Sequence, residues 1–333
     1  MQKKEKNCYA VIDIGTNAVT MLVCNVDSPK QTYDVVLDTT TIVRLGEGLQ
    51  PTLRLQSSAI GRTCAAIRQQ TVEARRLGVE QIIAVGTSVL RTATNASEFI
   101  SLIKNGFQLD VEVIPSDVEA RYSYLAIRTD ETFSPFDSGN LIVTDIGSGS
   151  TEFVFGQEAL PTFLSLNMGG VNLTDRFLKS DPPTNDELDA LNASLEETFK
   201  EQLALPTDYI QNPPALVGVG GTLVNLASVK LGLTDYDPER IHGEILTRQE
   251  VADQIELFRA GSVNDRLQIP GLESRRTDII IAGAAILKGI LTHIGLEEIR
   301  VSTRGLRYGV MHDRFVQYNP SVAYKRFAAE TDE

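Results

Sequence analysis

The stretch Tyr9-Ala-Val-Ile-Asp13-Ile-Gly-Thr-Asn17 joins an apolar run to a glycine-containing turn, and a second apolar, β-branched run from Val19 to Val26 follows it. This order predicts a strand, a tight turn and a second strand. The same order returns at Asn140-Leu-Ile-Val-Thr-Asp145-Ile-Gly-Ser-Gly-Ser-Thr-Glu-Phe-Val-Phe155. The repetition predicts two related halves, each opening with a hairpin whose first strand runs into an Asp-Ile-Gly turn.

Extended and helical patterns alternate along the rest of the chain, which predicts an α/β layered fold. The predicted strands are 81–85, 111–114, 216–219 and 298–301, and the predicted helices are 56–77, 96–105, 117–127, 185–203, 248–260 and 277–293. A length of 333 residues is enough for two domains at about 100–200 residues each. The predicted domain junction lies near residues 122–138, where the stretch from Thr129 to Asn140 is rich in turn residues.

Composition argues against several function classes. A net charge of −13 disfavours attraction to DNA, RNA or anionic lipid, so an anionic substrate needs a local basic patch. Three cysteines without a CxxC pair and three histidines without HExxH spacing argue against a disulfide framework and a zinc centre. The apolar segment 279–294 contains Lys288 and is too short to span a membrane, and Asp13 interrupts the first apolar run, so no signal peptide is expected. We therefore expect a cytoplasmic protein without DNA or membrane partners.

Two glycine turns have the composition of phosphate-binding loops. A phosphate site that lacks a lysine-bearing P-loop needs backbone N–H groups aimed at oxygen atoms, and glycine permits the close approach. Gly15-Thr16-Asn17 and Gly147-Ser148-Gly149-Ser150-Thr151 also supply hydroxyl and amide donors. Either turn alone is more often a simple hairpin. Two matching turns, each preceded by an aspartate, favour a shared phosphate site.

A third glycine loop, Gly218-Val-Gly-Gly-Thr222, lies between a predicted strand and a predicted helix. This position suits anion binding at a helix N-terminus, although such a turn often serves packing alone. No GxxxxGK[ST] motif occurs, so a Walker-type NTPase is not expected.

Carboxylates at the strand ends could hold a metal ion. Asp13 and Asp145 offer the hard oxygen ligands that Mg²⁺ (or Mn²⁺) uses beside phosphates, and Glu152 adds a third carboxylate. The alternatives are that the aspartates cap turns and that Glu152 is a solvated strand residue.

Together these motifs resemble those of the exopolyphosphatase/guanosine pentaphosphate phosphatase (Ppx/GppA) family, within the superfamily of actin, heat-shock chaperones and sugar kinases. The resemblance runs from Ala10 to about Arg314. Besides the three glycine loops it is carried by Thr41-Ile-Val-Arg-Leu-Gly-Glu-Gly-Leu49, Gly86-Thr-Ser-Val-Leu-Arg91, Val118-Glu-Ala-Arg121, His242-Gly243 and Ser302-Thr-Arg-Gly-Leu-Arg307.

The resemblance implies two ribonuclease H-like domains with a central cleft, in the short two-domain form. The predicted domains are 1–125 and 126–302, with 303–333 packing back on the first, and a homodimer is implied. Glu119 matches the general base, Asp145 and Glu152 match residues that position metal and water, and Arg91 matches an arginine near the cleft. The predicted catalytic residues are Glu119, Asp145 and Glu152, and the predicted metal ligands are Asp13, Asp145 and Glu152. The predicted phosphate contacts are Gly15, Thr16, Asn17, Arg91, Gly147, Ser148, Gly149, Ser150, Gly220, Gly221 and Thr222.

Three positions depart from the family pattern. Ser148 stands where a glycine is usual, Ser116-Asp117-Val118 carries less acidic charge than usual before Glu119, and Thr20 stands where an arginine is common. The implied activity is hydrolysis of the terminal phosphoanhydride of inorganic polyphosphate, with pppGpp as a second substrate. The alternatives are a non-catalytic sensor of (p)ppGpp or polyphosphate and an ATP-dependent small-molecule kinase.

Overall fold

The computed structural model describes residues 7–49, 51–136, 140–156, 161–206, 209 and 213–316. Two mixed β-sheets organise the chain. The first has five strands in the order β3-β2-β1-β4-β5, and the second has six strands in the order β10-β11-β9-β6-β7-β8. The strands are β1 (Asn7–Ile14), β2 (Ala18–Asp27), β3 (Thr32–Ile42), β4 (Gln81–Gly86), β5 (Val111–Val113), β6 (Leu141–Ile146), β7 (Thr151–Gly156), β8 (Thr162–Leu166), β9 (Ala215–Val219), β10 (Ile245–Thr247) and β11 (Glu298–Val301).

Helices connect and cover the strands, as the alternating pattern predicts. They are α1 (Ser57–Arg76), α2 (Ser88–Thr92), α3 (Ala96–Phe107), α4 (Ser116–Arg128), α5 (Gly170–Phe177), α6 (Asn185–Gln202), α7 (Gly221–Lys230), α8 (Pro238–Ile241), α9 (Arg248–Arg259), α10 (Val263–Arg266), α11 (Ile280–Ile294) and α12 (Leu306–Met311). Short helical turns cover Ser28–Lys30, Glu131–Phe136 and His312–Val316. The helix predicted from Thr277 begins three residues later, because turns bonded from Arg276 to Glu273 and from Ile279 to Arg276 precede it.

Local sequence explains where several helices begin and end. Thr184 and Glu187 form a reciprocal capping box at the start of α6, and Thr247 and Glu250 form another at the start of α9. Helix α11 ends at Gly295, whose φ of 79° is the left-handed conformation that glycine adopts readily.

Both halves repeat one arrangement, as the repeated sequence predicts. Strand β1 pairs antiparallel with β2 and parallel with β4, and β6 pairs antiparallel with β7 and parallel with β9. Asp13 lies opposite Thr20 in the first hairpin, and Asp145 lies opposite Glu152 in the second. Because β4 leads to α2 and β9 leads to α7, each half offers a hairpin turn and a strand-to-helix turn at the same sheet edge.

Buried apolar side chains fix the sheets and helices. Phe153, Phe199 and Phe258 are fully buried in the core of the second half, and Ile12 and Phe99 are fully buried in that of the first. Each such side chain contributes about 1.5–3 kcal/mol relative to exposure. The apolar helix α11 packs inside the second core, as expected. Within the described part of the chain, no helix combines the length and apolarity that a membrane crossing requires.

The chain passes from the first sheet to the second after α4 and returns through α12. Leu306, Val310 and Met311 of α12 pack in one cluster with Val11 and Leu22 of the first sheet. Residues 306–316 therefore lie on the first half. Residues 317–333, for which the same packing is predicted, are outside the described residues, and the domain boundaries at 125/126 and 302/303 stay predictions.

Candidate functional site

A cavity of about 710 Å³ is lined by residues of both halves. Asp13 and Gly15 of the first hairpin and Asp145 of the second lie on its wall, together with Glu119 at the start of α4. The aspartates of both Asp-Ile-Gly turns therefore line one cleft, although they are 145 − 13 = 132 residues apart in the sequence.

The two hairpin turns are closed by the same hydrogen bond. The Gly15 N–H donates to the Ala18 carbonyl at 2.9 Å, and the Gly147 N–H donates to the Ser150 carbonyl at 2.9 Å. A Cβ atom at Gly15 would lie 3.2 Å from that carbonyl oxygen, and one at Gly147 would lie 3.0 Å from its counterpart. Glycine thus allows the tight turn at both positions.

The carbonyl groups of the first turn are bound by the segment that follows β3. The Thr16 carbonyl accepts from the Gly46 N–H at 2.9 Å, and the Asn17 carbonyl accepts from the N–H groups of Val43 and Arg44, both at 2.9 Å. A Cβ at Gly46 would lie 2.5 Å from the Thr16 methyl carbon, so the segment packs directly on the turn. This contact explains part of the 41–49 motif.

The N-terminus of α5 binds the carbonyl groups of the second turn. The Gly170 N–H donates to Gly147 at 3.1 Å, the Val171 N–H donates to Ser148 at 2.9 Å, and the Asn172 amide donates to Gly149 at 2.6 Å. Sequence reasoning missed this support. Its signal is the Gly169-Gly170 pair ahead of a helix, where a Cβ at Gly169 would lie 2.4 Å from the Ser148 carbonyl.

The N–H groups of both turns are left available by this arrangement. Among the described residues, no backbone acceptor is bonded to the N–H groups of Thr16, Asn17, Ser148 or Gly149. Successive N–H groups without internal partners form the concavities in which proteins bind anions.

The third glycine loop touches the second aspartate. Gly220 has φ 93°, and a Cβ there would lie 2.3 Å from Oδ1 of Asp145. A Cβ at Gly221 would lie 1.9 Å from Nη2 of Arg276, so this guanidinium lies against the loop. The Thr222 hydroxyl donates to the Ile146 carbonyl at 3.1 Å, a bond that ties α7 to β6.

Four carboxylates gather around the cleft and repel one another. Burial raises the pKa of Asp13 to about 7, with Glu119 adding to the shift and Arg307 opposing it. Burial raises the pKa of Asp145 to about 8, with Glu152, Glu119 and Asp13 adding and Arg276 opposing. Burial also raises the pKa of Glu152, to which Ser165 donates a 3.0 Å hydrogen bond. A site with this much unneutralised negative potential is suited to a bound cation.

Glu119 is held by Arg91. The Arg91 Nη1 group donates to Oε2 of Glu119 at 2.6 Å and to the Ile114 carbonyl at 2.9 Å. Burial raises the pKa of Glu119, and the Arg91 contact lowers it in part. Because Nη1 is used in this way, the predicted phosphate contact of Arg91 would have to come from its other nitrogens.

Two further arginines on the cavity wall were not predicted as site residues. Arg276 is bonded through Nε to Glu273 at 3.2 Å, and Arg307 binds both oxygens of Asp38 at 2.9 and 2.8 Å. They are the two arginines of the described cavity wall, and each is paired with a carboxylate. Arg307 belongs to the 302–307 motif, which carried no individual role for it, whereas Arg276 lies outside the quoted motifs and only its position in the fold identifies it.

The residues present fit a magnesium ion. Within the described chain no three His, Cys, Asp or Glu side chains converge as a metal cluster. Mg²⁺ beside phosphate needs only one or two carboxylates, with waters and substrate oxygens completing its shell. Oδ1 of Asp13 is buried and has no hydrogen-bond partner among the described residues. Asp13 and Asp145 are therefore the residues that would hold the ion.

The predicted site residues divide into two groups. Those on the cavity wall are Asp13, Gly15, Glu119, Asp145, Gly220 and Gly221. Those that are not part of the described wall are Thr16, Asn17, Arg91, Gly147, Ser148, Gly149, Ser150, Glu152 and Thr222. The individual roles remain predictions.

Comparison with known proteins agrees with this architecture. The chain is 32% identical over 311 residues to a bifunctional 3-dehydroquinate synthase/phosphatase of Fusobacterium nucleatum, covering 90% of this chain and 46% of that protein. It is 29% identical to exopolyphosphatase 2 of Mycobacterium tuberculosis, covering 90% of this chain and 96% of the relative. It is 30% identical to the guanosine-5'-triphosphate,3'-diphosphate pyrophosphatase of Aeromonas hydrophila, covering 91% of this chain and 58% of that protein. The chain thus spans about half the length of two of these relatives.

A solved structure supports the fold class. The crystal structure of the Ppx/GppA family member of Aquifex aeolicus superposes with a TM-score of 0.77 at 32% identity, covering 92% of this chain and 97% of the other. The predicted α/β fold of two ribonuclease H-like halves is confirmed. The model of the Ppx/GppA phosphatase family matches residues 23–317. The chain therefore belongs to the Ppx/GppA phosphatase family.

Proposed function

We propose that this chain is a Mg²⁺-dependent phosphoanhydride hydrolase that releases the terminal phosphate of inorganic polyphosphate, with pppGpp as a second substrate. The observation that carries the proposal is the pair of matching turns. Their carbonyl groups accept hydrogen bonds from neighbouring segments, and the N–H groups of Thr16, Asn17, Ser148 and Gly149 have no backbone partner among the described residues. Membership of a phosphatase family and the names of the exopolyphosphatase and pyrophosphatase relatives support it.

The turns would grip the terminal phosphoryl group from two sides. The N–H groups of Thr16 and Asn17 donate to it from the first half, and those of Ser148 and Gly149 donate from the second. The ion held by Asp13 and Asp145 supplies neutralisation of the phosphoryl oxygens when bound. Positioning and electrostatic stabilisation account for most of the catalysis in phosphoryl transfer.

Glu119 would direct the attacking water. Arg91 fixes its carboxylate at 2.6 Å, and the raised pKa makes it a better proton acceptor than an exposed glutamate. The water oxygen bonds to the terminal phosphorus, its proton passes to Glu119, and the bridging P–O bond breaks with its electrons on the shortened chain. Glu152, opposite Asp145 and bonded by Ser165, would help to position the metal and the water.

One feature of the cavity favours a nucleotide as a further substrate. Beyond the Gly220 loop its wall continues along Val224, Leu233, Tyr236 and Leu272. This partly apolar extension has room for a nucleoside, which pppGpp carries and polyphosphate lacks. An ATP-dependent kinase would use the same space, so the two enzyme activities must be separated by their products.

The test is a phosphate-release assay with short polyphosphate, long polyphosphate, pppGpp and ATP, each with Mg²⁺ and with chelator. We expect release from polyphosphate, and from pppGpp with ppGpp as the other product, in both cases abolished by the chelator. Tight calorimetric binding without release under any divalent metal would identify a sensor. ADP formation that depends on a second small substrate would identify a kinase.

Assembly and location belong to the same proposal. We propose a cytoplasmic homodimer, as the family resemblance implies. Sedimentation equilibrium at micromolar concentration checks the dimer, and fractionation of the source cells checks the location.

A further inference from the structure

The two segments that connect the halves lie against each other at one histidine. The chain leaves the first half through the segment after α4, which contains Asp130 and Thr132, and returns through Ser302 to Gly305, between β11 and α12. His242, just after α8, contacts both segments. His242 touches neither the substrate nor the metal ion in the proposed hydrolysis.

On the outgoing segment, His242 contacts Asp130. Its Nε2 lies 3.1 Å from Oδ2 of Asp130 and 3.2 Å from the Thr132 hydroxyl. Arg304 of the returning segment donates to the same Asp130 oxygen at 3.0 Å. The Asp130 side chain is only 2% exposed and that of His242 only 9%, so water screens these contacts little.

The other ring nitrogen faces the returning segment. The Thr303 N–H lies 3.4 Å from Nδ1 of His242, in the direction of a donated hydrogen bond. When Nδ1 accepts from this N–H group, the proton on Nε2 can be donated to Asp130. The ring also packs edge-on against Phe133, with 5.2 Å between the ring centroids.

Backbone geometry keeps the ring at this place. Gly243 has φ 84°, and its N–H donates to the Val301 carbonyl at 2.8 Å. A Cβ at Gly243 would lie 3.1 Å from the Thr132 methyl carbon. The His242-Gly243 pair therefore packs against both connecting segments.

Burial alone would raise the pKa of Asp130. The hydrogen bonds from His242 and Thr132, together with the charge of Arg304, outweigh burial and lower it to about 2. Asp130 thus carries a negative charge at neutral pH at the point where the chain crosses between halves, and its lowered pKa depends on His242 of the second half and Arg304 of the returning segment.

The returning segment is also part of the cavity wall. Ser302, Thr303 and Gly305 line the cleft, and the Ser302 N–H donates to the Gly218 carbonyl of β9 at 2.8 Å. We propose that His242 is a positioning residue that, through Asp130 and Thr303, fixes the orientation of the two halves so that both Asp-Ile-Gly turns reach one phosphoryl group. Its effect on turnover rests on the proposed function, whereas its effect on orientation does not.

A matched pair of substitutions separates the Asp130 contact from the Thr303 contact. In His242→Gln the amide nitrogen can occupy the place of Nε2 and donate to Asp130. In His242→Asn the shorter side chain reaches only the place of Nδ1. We expect His242→Asn to lower kcat for phosphate release at least tenfold with a smaller change in KM. The reason is that displacing catalytic groups from their reactive geometry slows the reaction more than it weakens substrate binding. His242→Gln should stay within about threefold of the parent in kcat.

Orientation is measured directly by double electron–electron resonance. Val72 on α1 and Leu257 on α9 are exposed and lie in different halves, so Val72→Cys and Leu257→Cys in a Cys64→Ser background accept spin labels. We expect His242→Asn to shift or broaden the distance distribution and His242→Gln to reproduce the parent distribution. If His242→Asn fails to fold, judged by circular dichroism, Asp130→Asn replaces it with the same expectations.

A parent-like distribution in a folded His242→Asn or Asp130→Asn protein would overturn the inference, whatever its turnover. Parent-like turnover in these variants despite a shifted distribution would also overturn it. A parent protein that releases no phosphate would contradict the proposed function alone, because the distance measurement would still decide the orientation.

Discussion

Asp13 and Asp145 occupy equivalent positions in two hairpins, because each is the penultimate residue of its strand. Two residues after each aspartate is a glycine whose N–H donates to the carbonyl three residues further along and so closes the turn. Both carboxyl groups lie on one cavity wall, and both have a pKa raised by burial and by neighbouring carboxylates. The equivalence accounts for a cavity that is lined by both halves of one chain.

Replacing Asp13 by asparagine should stabilise the metal-free protein in a pH-dependent manner. Burial raises the pKa of Asp13 from 3.8 to about 7. At a pH between these two values, the Asp13 carboxyl group is therefore protonated in the folded state and ionised in the unfolded state. Asp13 therefore makes the parent lose stability as pH rises through this window, and Asp13→Asn lacks that contribution while keeping the one from Asp145. We expect its gain in melting temperature to be small near pH 4, to grow up to about pH 7 and to level off above.

Thermal denaturation in chelator measures this gain. Asp253→Asn, at an exposed position on α9, is the control and should show no such pH-dependent gain. A gain for Asp13→Asn that is equal at pH 4 and pH 8 would contradict the electrostatic account of the cleft.

Glu119→Gln should remove the base and leave substrate binding intact. We expect kcat for phosphate release to fall at least 10²-fold, the lower end for general-base catalysis. Glu98→Gln, at an exposed position on α3, serves as the control and should retain parent turnover. Undiminished turnover in Glu119→Gln, with calorimetric binding unchanged, would remove Glu119 from this role.

Arg91→Met should move the pH profile of the reaction. Arg91 lowers the pKa of Glu119 against the effect of burial, so its removal raises that pKa further. The acid limb of kcat/KM should therefore shift to higher pH, with the loss largest at low pH and smaller at high pH. A uniform loss with an unmoved acid limb would show that Arg91 contributes chiefly by binding phosphate.

Gly220→Ala should damage the site beyond the cost of its backbone conformation. A Cβ there would lie 2.3 Å from Oδ1 of Asp145, whereas Gly232 also has a positive φ, 59°, and has nothing within 4 Å of a Cβ. Gly220→Ala should cost about 1–3 kcal/mol of stability, because φ 93° with ψ 165° is a conformation that only glycine adopts readily, and Gly232→Ala should cost about 1–2 kcal/mol for its positive φ. Only Gly220→Ala should in addition lower turnover at least tenfold, as expected for groups displaced from reactive geometry. Equal turnover in the two variants would contradict the contact between Gly220 and Asp145.

The repeated hairpins, the position of Asp13 and Asp145 and the α/β layering could be predicted because they depend on short-range patterns. The roles of Gly169, Asn172, Arg276 and Arg307 could not, since each depends on contacts with residues distant in the sequence. Thr222 illustrates a motif residue whose predicted contact is not evident in the structure. It belongs to a glycine loop that suits anion binding, yet its hydroxyl is bonded to the Ile146 carbonyl.

In the proposed mechanism, both aspartate turns hold one metal-bound phosphoryl group. Crystals of Glu119→Gln with Mn²⁺ and tripolyphosphate, measured at a wavelength where manganese scatters anomalously, test it most directly. We predict an anomalous peak between the carboxylates of Asp13 and Asp145, with the terminal phosphate against the N–H groups of both turns. A manganese ion and phosphate bound away from either aspartate would contradict it.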